Sequence, residues 1–127
     1  MTMKVHFEEA LAALKNDLRE NAERAEAAVK AALRALERED AALADAVIDG
    51  DTAIDLAENA IEEKCLDILA LYQPVATDLR RVVTILKTNG QIERLGDLAT
   101  NIAEDVIYLK RAEIVRHELP KAPHTPA

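Results

Sequence analysis

Apolar residues recur along this chain at alternating steps of three and four, the spacing that lines side chains up on one face of an α-helix. The first such stretch runs from about His6 to Glu37 and carries Leu11, Leu14, Leu18, Ala22, Ala25, Val29, Ala32 and Leu36, with no Gly or Pro to interrupt it. A helix of about 30 residues, on the order of 45 Å long, is predicted there. Arg38, Glu39 and Asp40 then form a short polar connection, with Asp40 placed to cap the next helix. The second helix is predicted over about Asp40 to Leu71, with Val47, Ile54, Ala57, Ile61, Ile68 and Leu71 as its seam and Gly50 as a tolerated weak point. Tyr72, Gln73 and Pro74 make the second turn. Proline lacks a backbone N–H and has φ pre-set near the helical value, so the third helix is expected to begin close to Pro74, with Asp78 at the positive end of its dipole. Its seam is Ile85, Thr88, Ile92, Leu95, Ala99, Ile102, Val106 and Leu109, and it is expected to reach about Arg111 or beyond. The pattern stays in phase across Asn89-Gly90, which predicts one continuous helix there rather than a break.

Three long helices joined by short turns predict an all-α fold, an antiparallel three-helix up-down-up bundle. The bundle is assigned to residues 1–117. Residues 118–127, with three of the four prolines, are expected to form a flexible tail.

Charge separates the helices. The chain carries a formal net charge of −8, and between Asp40 and Glu63 there is no Lys or Arg at all. Such a balance argues against nucleic acid, which needs a basic face, and points instead to cations or to basic patches on other proteins. Asp51, Asp55, Glu58 and Glu62 step by four, three and four into one acidic stripe. On the third helix Glu93 and Asp97 stand at i,i+4, an arrangement that costs a few tenths of a kcal/mol unless a cation relieves it. In an up-down-up bundle the second and third helices are antiparallel neighbours. Asp51 and Asp55 lie about 20 residues before the turn at Gln73, and Glu93 and Asp97 about 20 after it, so both pairs come to similar heights.

Oxygen-only ligands suit hard cations: magnesium, calcium, manganese or ferric iron. One reading is therefore a surface metal site held by Asp51, Asp55, Glu93 and Asp97, with Asn101 and Glu58 as weaker candidates; the other is a solvated acidic face. Arg80 and Arg81 are read as surface ion pairs, and Gly96 as a point of close helix approach. His6, His117 and His124 are far in sequence from the carboxylates.

Catalysis has little to build on. No Glu is followed by His three residues later, the three glycines are too scattered to cradle a phosphate, and Cys65 is a lone cysteine. One cysteine excludes an intramolecular disulfide and fits a reducing compartment. The N-terminus has no apolar run of signal-peptide length and no stretch could span a bilayer, so a cytoplasmic protein, not membrane-embedded, is expected.

Gln73-Pro74-Val75-Ala76-Thr77-Asp78-Leu79-Arg80, followed by Glu93-Arg94-Leu95-Gly96-Asp97 and preceded by Gly50-Asp51-Thr52-Ala53-Ile54-Asp55, resembles the signature of the PhoU family of phosphate-signalling regulators. PhoU proteins carry E/DxxxD motifs that bind metal clusters, and the resemblance extends that role to Asp51 and Asp55 and to Glu93 and Asp97. It also implies a non-catalytic negative regulator of phosphate uptake and of the phosphate-starvation response, with a phosphate transporter ATPase and a sensor histidine kinase as partners. A helical metal-binding or storage module without those partners is the alternative, and an assembly element with purely solubilising acidic faces a third. PhoU proteins have two such bundles in tandem and this chain has room for one. It is expected to be a single-bundle member whose copies associate as a homodimer about a two-fold axis.

Overall fold

Thr2 opens the first helix: its hydroxyl accepts a hydrogen bond from the Val5 amide at 3.3 Å, satisfying one of the free donors of the first turn. The structure, a computed structural model, describes residues 2–118. Three helices account for nearly all of them: α1 (Met3–Arg38), α2 (Ala41–Tyr72) and α3 (Ala76–Glu118). Glu39, in the left-handed region at φ 52°, closes α1, and its N–H donates back to the last turn. Asp40 caps α2, its carboxylate accepting from the Leu43 amide at 3.0 Å. The helices run up, down and up, and each packs against both others.

Pro74 lies within the second turn, as expected, and α3 begins close to it, at Ala76. Gln73, the left-handed cap of α2, and Ala76 both take positive φ, 46° and 53°. Proline's fixed φ serves the turn here and not the first helical position. Continuity through Asn89-Gly90 holds. The α3 helix extends to Glu118, one residue past the assigned end of the bundle; the rest of the expected tail, residues 119–127, lies outside the described residues.

The core is layered along the bundle. At the end nearest the α2–α3 turn Phe7, Leu11, Leu14, Ile61, Ile68 and Ile85 pack together, with Tyr72 edge-on to Phe7 at 5.7 Å between ring centroids. The far end is built from small residues, among them Ala32, Ala35, Ala44, Ala99 and Ala103 around Val47 and Val106. Between them the fully apolar layer is thin: Ala25, Ile54 and Ile92.

The rotational phase of α3 departs from its hydropathy. Ile85, Ile92, Ala99 and Val106 point inward as expected, but the intervening inward positions are Asn89, Gly96 and Ala103, not Thr88, Leu95 and Ile102. Thr88 and Ile102 are half-buried, and Leu95 and Leu109 are exposed. The same displacement occurs on α1, where Asn21 and Ala35 are buried while Ala22 is half-buried and Leu36 exposed. On α2 Leu71 is exposed, Ala57 half-buried, and Cys65 joins the core. Steric room is the cause. A Cβ at Gly96 would stand 3.3 Å from Ile54 Cγ2, so α2 comes within contact of the α3 backbone where α3 carries no side chain.

Candidate metal centre

Two hydrogen bonds from buried asparagines hold α2 in register. Asn89 Nδ2 donates to the Glu58 carbonyl at 3.0 Å, and Asn21 Nδ2 of α1 to the Ile54 carbonyl at 3.2 Å. With Asn89 beside Glu58 and Gly96 beside Asp51 and Ile54, the antiparallel pairing brings residues 51–58 of α2 level with residues 89–97 of α3. The shared height expected for the two carboxylate pairs is therefore present.

Asp51 lies deepest. It is half-buried against α3, and a Cβ at Gly96 would stand 3.4 Å from its Oδ1. Burial raises its carboxyl above the usual range, and the nearby charges of Asp55 and Asp97 add to the effect. Thr100 is adjacent, but its hydroxyl donates to the Gly96 carbonyl at 3.1 Å. Asp51 Oδ1 is left buried without a partner. A buried carboxylate oxygen with no donor costs free energy that a cation could recover.

Two turns further along, Glu58 is half-buried and faces Glu93 across the helix pair. Desolvation and the neighbouring Glu93 carboxyl push Glu58 up to about 7, so Glu58 is partly protonated near neutrality. Asp55, Glu93 and Asp97 are exposed. Asn101, one turn beyond Asp97, is exposed as well. Among the described residues no three His, Cys, Asp or Glu side chains converge on one point at metal-ligand distance. The carboxylates stand instead as Asp51 with Asp55 and Asp97, and Glu58 with Glu93.

The donor chemistry fits a hard cation: all oxygen, mostly carboxylate, with one unsatisfied buried oxygen and a Glu58 proton available for displacement. Thr100 and Asn89 were not singled out by sequence pattern as part of this neighbourhood. A hydroxyl one turn from Gly96 is too common a feature to signal it, and Asn89 resembles a break in the helix.

The other motif residues hold the bundle's end. Arg81 Nη1 and Nη2 donate to the two Glu8 carboxylate oxygens at 2.6 and 2.8 Å, and Nη1 also reaches Asp78 at 3.2 Å. Lys4 donates to Asp78 at 2.8 Å. These pairs hold Glu8 and Asp78 below the usual carboxylate range, through the bond from Arg81 and the bond from Lys4 respectively. Arg81 thus forms ion pairs, as expected, and ties α1 to α3. No described helix is long and apolar enough to cross a membrane.

The PhoU domain family model matches residues 18–106. A phosphate-specific transport system accessory protein PhoU homolog 1 from Thermotoga maritima is 38% identical over 114 residues, 90% of this chain and 49% of that protein. The PhoU homolog of Aquifex aeolicus is 48% identical over 82 residues, 65% of this chain and 37% of its own. The accessory protein PhoU of Escherichia coli is 42% identical over 76 residues, 60% of this chain and 32% of its own. The chain spans about half the length, or less, of these curated relatives.

Proposed function

Since the chain belongs to the PhoU domain family, we propose that it is a non-catalytic accessory regulator of phosphate transport, whose α2–α3 carboxylates bind a hard cation. The observation that carries this reading is the acidic cluster at one level of the bundle, with Asp51 Oδ1 buried and unpartnered behind it. A bound iron, manganese, magnesium or calcium ion would supply the positive charge that this cluster lacks. Asp51 and Asp55 on α2 and Glu93 and Asp97 on α3 would hold it. Glu58 would release its proton as the charge is neutralised, and Asn101 and Thr100 offer further oxygens nearby. Asn89 and Gly96 would keep the two helices at the separation the carboxylates need.

Regulation then means contact with a phosphate transporter ATPase and a sensor histidine kinase in the cytoplasm, with negative control of uptake and of the starvation response. Accessory proteins of phosphate-specific transport are the relatives by name, which supports the transporter contact. Two copies would associate, giving the number of bundles that twice this length allows.

Elemental analysis of untagged protein purified without chelator tests the metal, beside a variant with Asp51, Asp55, Glu93 and Asp97 all changed to Ala. Stoichiometric metal in the parent and none in the folded variant is expected; a parent without metal after reloading would refute the site. Co-purification of the transporter ATPase with the tagged parent tests the partner separately.

A further inference from the structure

The displacement of α1 and α3 from their hydropathy is systematic. At 100° per residue, the apolar seam of α3 lies about 60° round the helix from the set that is buried, and the seam of α1 about 35° round from its own. The two displacements have opposite senses. Asn89 and Gly96 of α3 meet α2, so the α3 seam, with Leu95 and Leu109, is turned toward α1. Asn21 of α1 also meets α2, so the α1 seam, with Leu36, is turned toward α3. Leu36, Leu95 and Leu109 are each between 37% and 46% exposed as a result.

We infer that the bundle has a second packing, reached when α1 and α3 roll in opposite senses against each other, in which these leucines enter the core and Asn21, Asn89 and Gly96 leave α2. Neighbouring parallel helices can roll in this way while their side chains stay engaged. Most of the core serves both packings: Leu11, Leu14, Ala25 and Ala32 of α1, and Ile85, Ile92, Ala99 and Val106 of α3, belong to the seam and to the buried set alike. The exchange is confined to a few positions. Rolling replaces Asn21 and Ala35 by Ala22 and Leu36, and Asn89, Gly96 and Ala103 by Thr88, Leu95 and Ile102.

Opposing terms of similar kind decide between the two. The observed packing keeps both asparagine bonds to α2 carbonyls and the close contact of Gly96 with Ile54. It also buries Asn21 Oδ1 and Asn89 Oδ1 without partners and leaves three leucines in water, and rolling removes both costs. The junctions suit the motion. Glu39 joins α1 to α2, and Gln73 and Ala76 join α2 to α3, all three left-handed at φ between 46° and 53°. Residues with a Cβ are disfavoured there, and single positions of this kind absorb the dihedral change when a helix turns.

Rolling also carries Glu93 and Asp97 round α3, away from Glu58 and Asp51 on α2. On the cation reading proposed above, on which this step rests, a hard cation between α2 and α3 favours the observed packing and mutual repulsion of the carboxylates favours the rolled one. The cation would thereby control whether the leucines are exposed.

Single cysteines in a Cys65→Ala chain test the roll. Leu95→Cys reports an exposed position and Ala35→Cys a fully buried one. Asn21→Gln with Asn89→Gln lengthens both amides and breaks their bonds; in chelator, thiol labelling should speed about 10-fold at position 35 and slow at position 95. Unfolding exposes both positions, so a rate at position 95 that rises or stays the same overturns the roll. Should the amide variant misfold, Leu95→Gln with Leu109→Gln replaces it. These changes to exposed side chains penalise only the rolled packing and should slow labelling at position 35 about 10-fold in a chain with both asparagines; an unchanged or faster rate overturns the roll. Manganese alone, added to the amide variant, should reverse both rates. Manganese that binds without reversing them overturns the coupling, whereas manganese that does not bind removes the cation reading and leaves the roll standing.

Discussion

Glu58 makes the stability of the bundle depend on pH in an unusual direction. Its carboxyl, desolvated and hydrogen-bonded to Glu93, is raised from 4.5 to about 7. Between those values the folded chain holds a proton that the unfolded chain has released, so unfolding free energy falls as pH rises, and the contribution is complete below 4.5 and lost above about 7. At about 1.4 kcal/mol per pH unit a fully buried group would lose about 3 kcal/mol across that window; for a half-buried one, solvent screening leaves about 1–2 kcal/mol. Glu8 and Asp78, held low by their cations, titrate below this window and act in the opposite sense. Urea unfolding in the presence of a chelator at pH 5 and pH 8 measures the difference. The parent should be less stable at pH 8, with a thermal midpoint lower by about 5 °C. Glu58→Gln should remove most of the slope by stabilising the protein at pH 8 and leaving pH 5 nearly unchanged. Equal or greater stability of the parent at pH 8, or the same slope in the variant, refutes the raised Glu58 carboxyl.

The three glycines should respond differently to alanine. A Cβ at Gly50 or Gly90 meets nothing within 4 Å, so each substitution is expected to add about 0.5–1 kcal/mol through helix propensity. At Gly96 the Cβ would crowd Ile54 and Asp51, and the gain should vanish or reverse in the same denaturation assay. Asn89→Asp replaces a buried donor with a carboxylate facing the Glu58 carbonyl, and should cost about 3 kcal/mol at pH 8 and recover in acid. Cys65 is fully buried, and its thiol is pushed up to about 11 by burial, so labelling by a thiol reagent at pH 8 should proceed only as fast as the bundle opens.

Helix number, direction and approximate ends were legible because periodicity and caps are local properties: Asp40 caps α2 as its position suggested. The level of the carboxylate pairs was legible too, since it follows from rise per residue and a short turn. Rotation about the helix axis was not. Hydropathy selects the largest apolar residue in each turn, whereas close packing selects the residue that fits, and at Gly96, Ala35 and Ala103 the small side chain won. Asn21 and Asn89 were hidden for a different reason. A polar residue looks like surface until a carbonyl on a neighbouring helix is known to be within reach of its donor. The same error of phase placed Leu36, Leu95 and Leu109 in the core, although all three are exposed.

Asn21, Asn89, Gly96 and Asp51 all fall at the thin middle layer, where only Ala25, Ile54 and Ile92 supply fully buried apolar packing. The end layers carry larger or more numerous buried side chains. Each asparagine also leaves its Oδ1 buried without a partner. Apolar burial, the main favourable contribution, is therefore weakest where the carboxylates repel one another most. Local opening should start there, not at the frayed ends alone. Amide exchange at neutral pH is expected to show less protection at residues 51–58 and 89–97 than at Ile61–Ile68 or Ala99–Val106. Glu58→Gln, measured at the same pH, should slow exchange in the middle segments more than in the end layers. Uniform protection along all three layers, or slowing spread evenly over the bundle, would mean that the asparagine bonds compensate fully for the missing apolar area. The charge cluster would then be a feature of the surface, without mechanical coupling to the core beneath it.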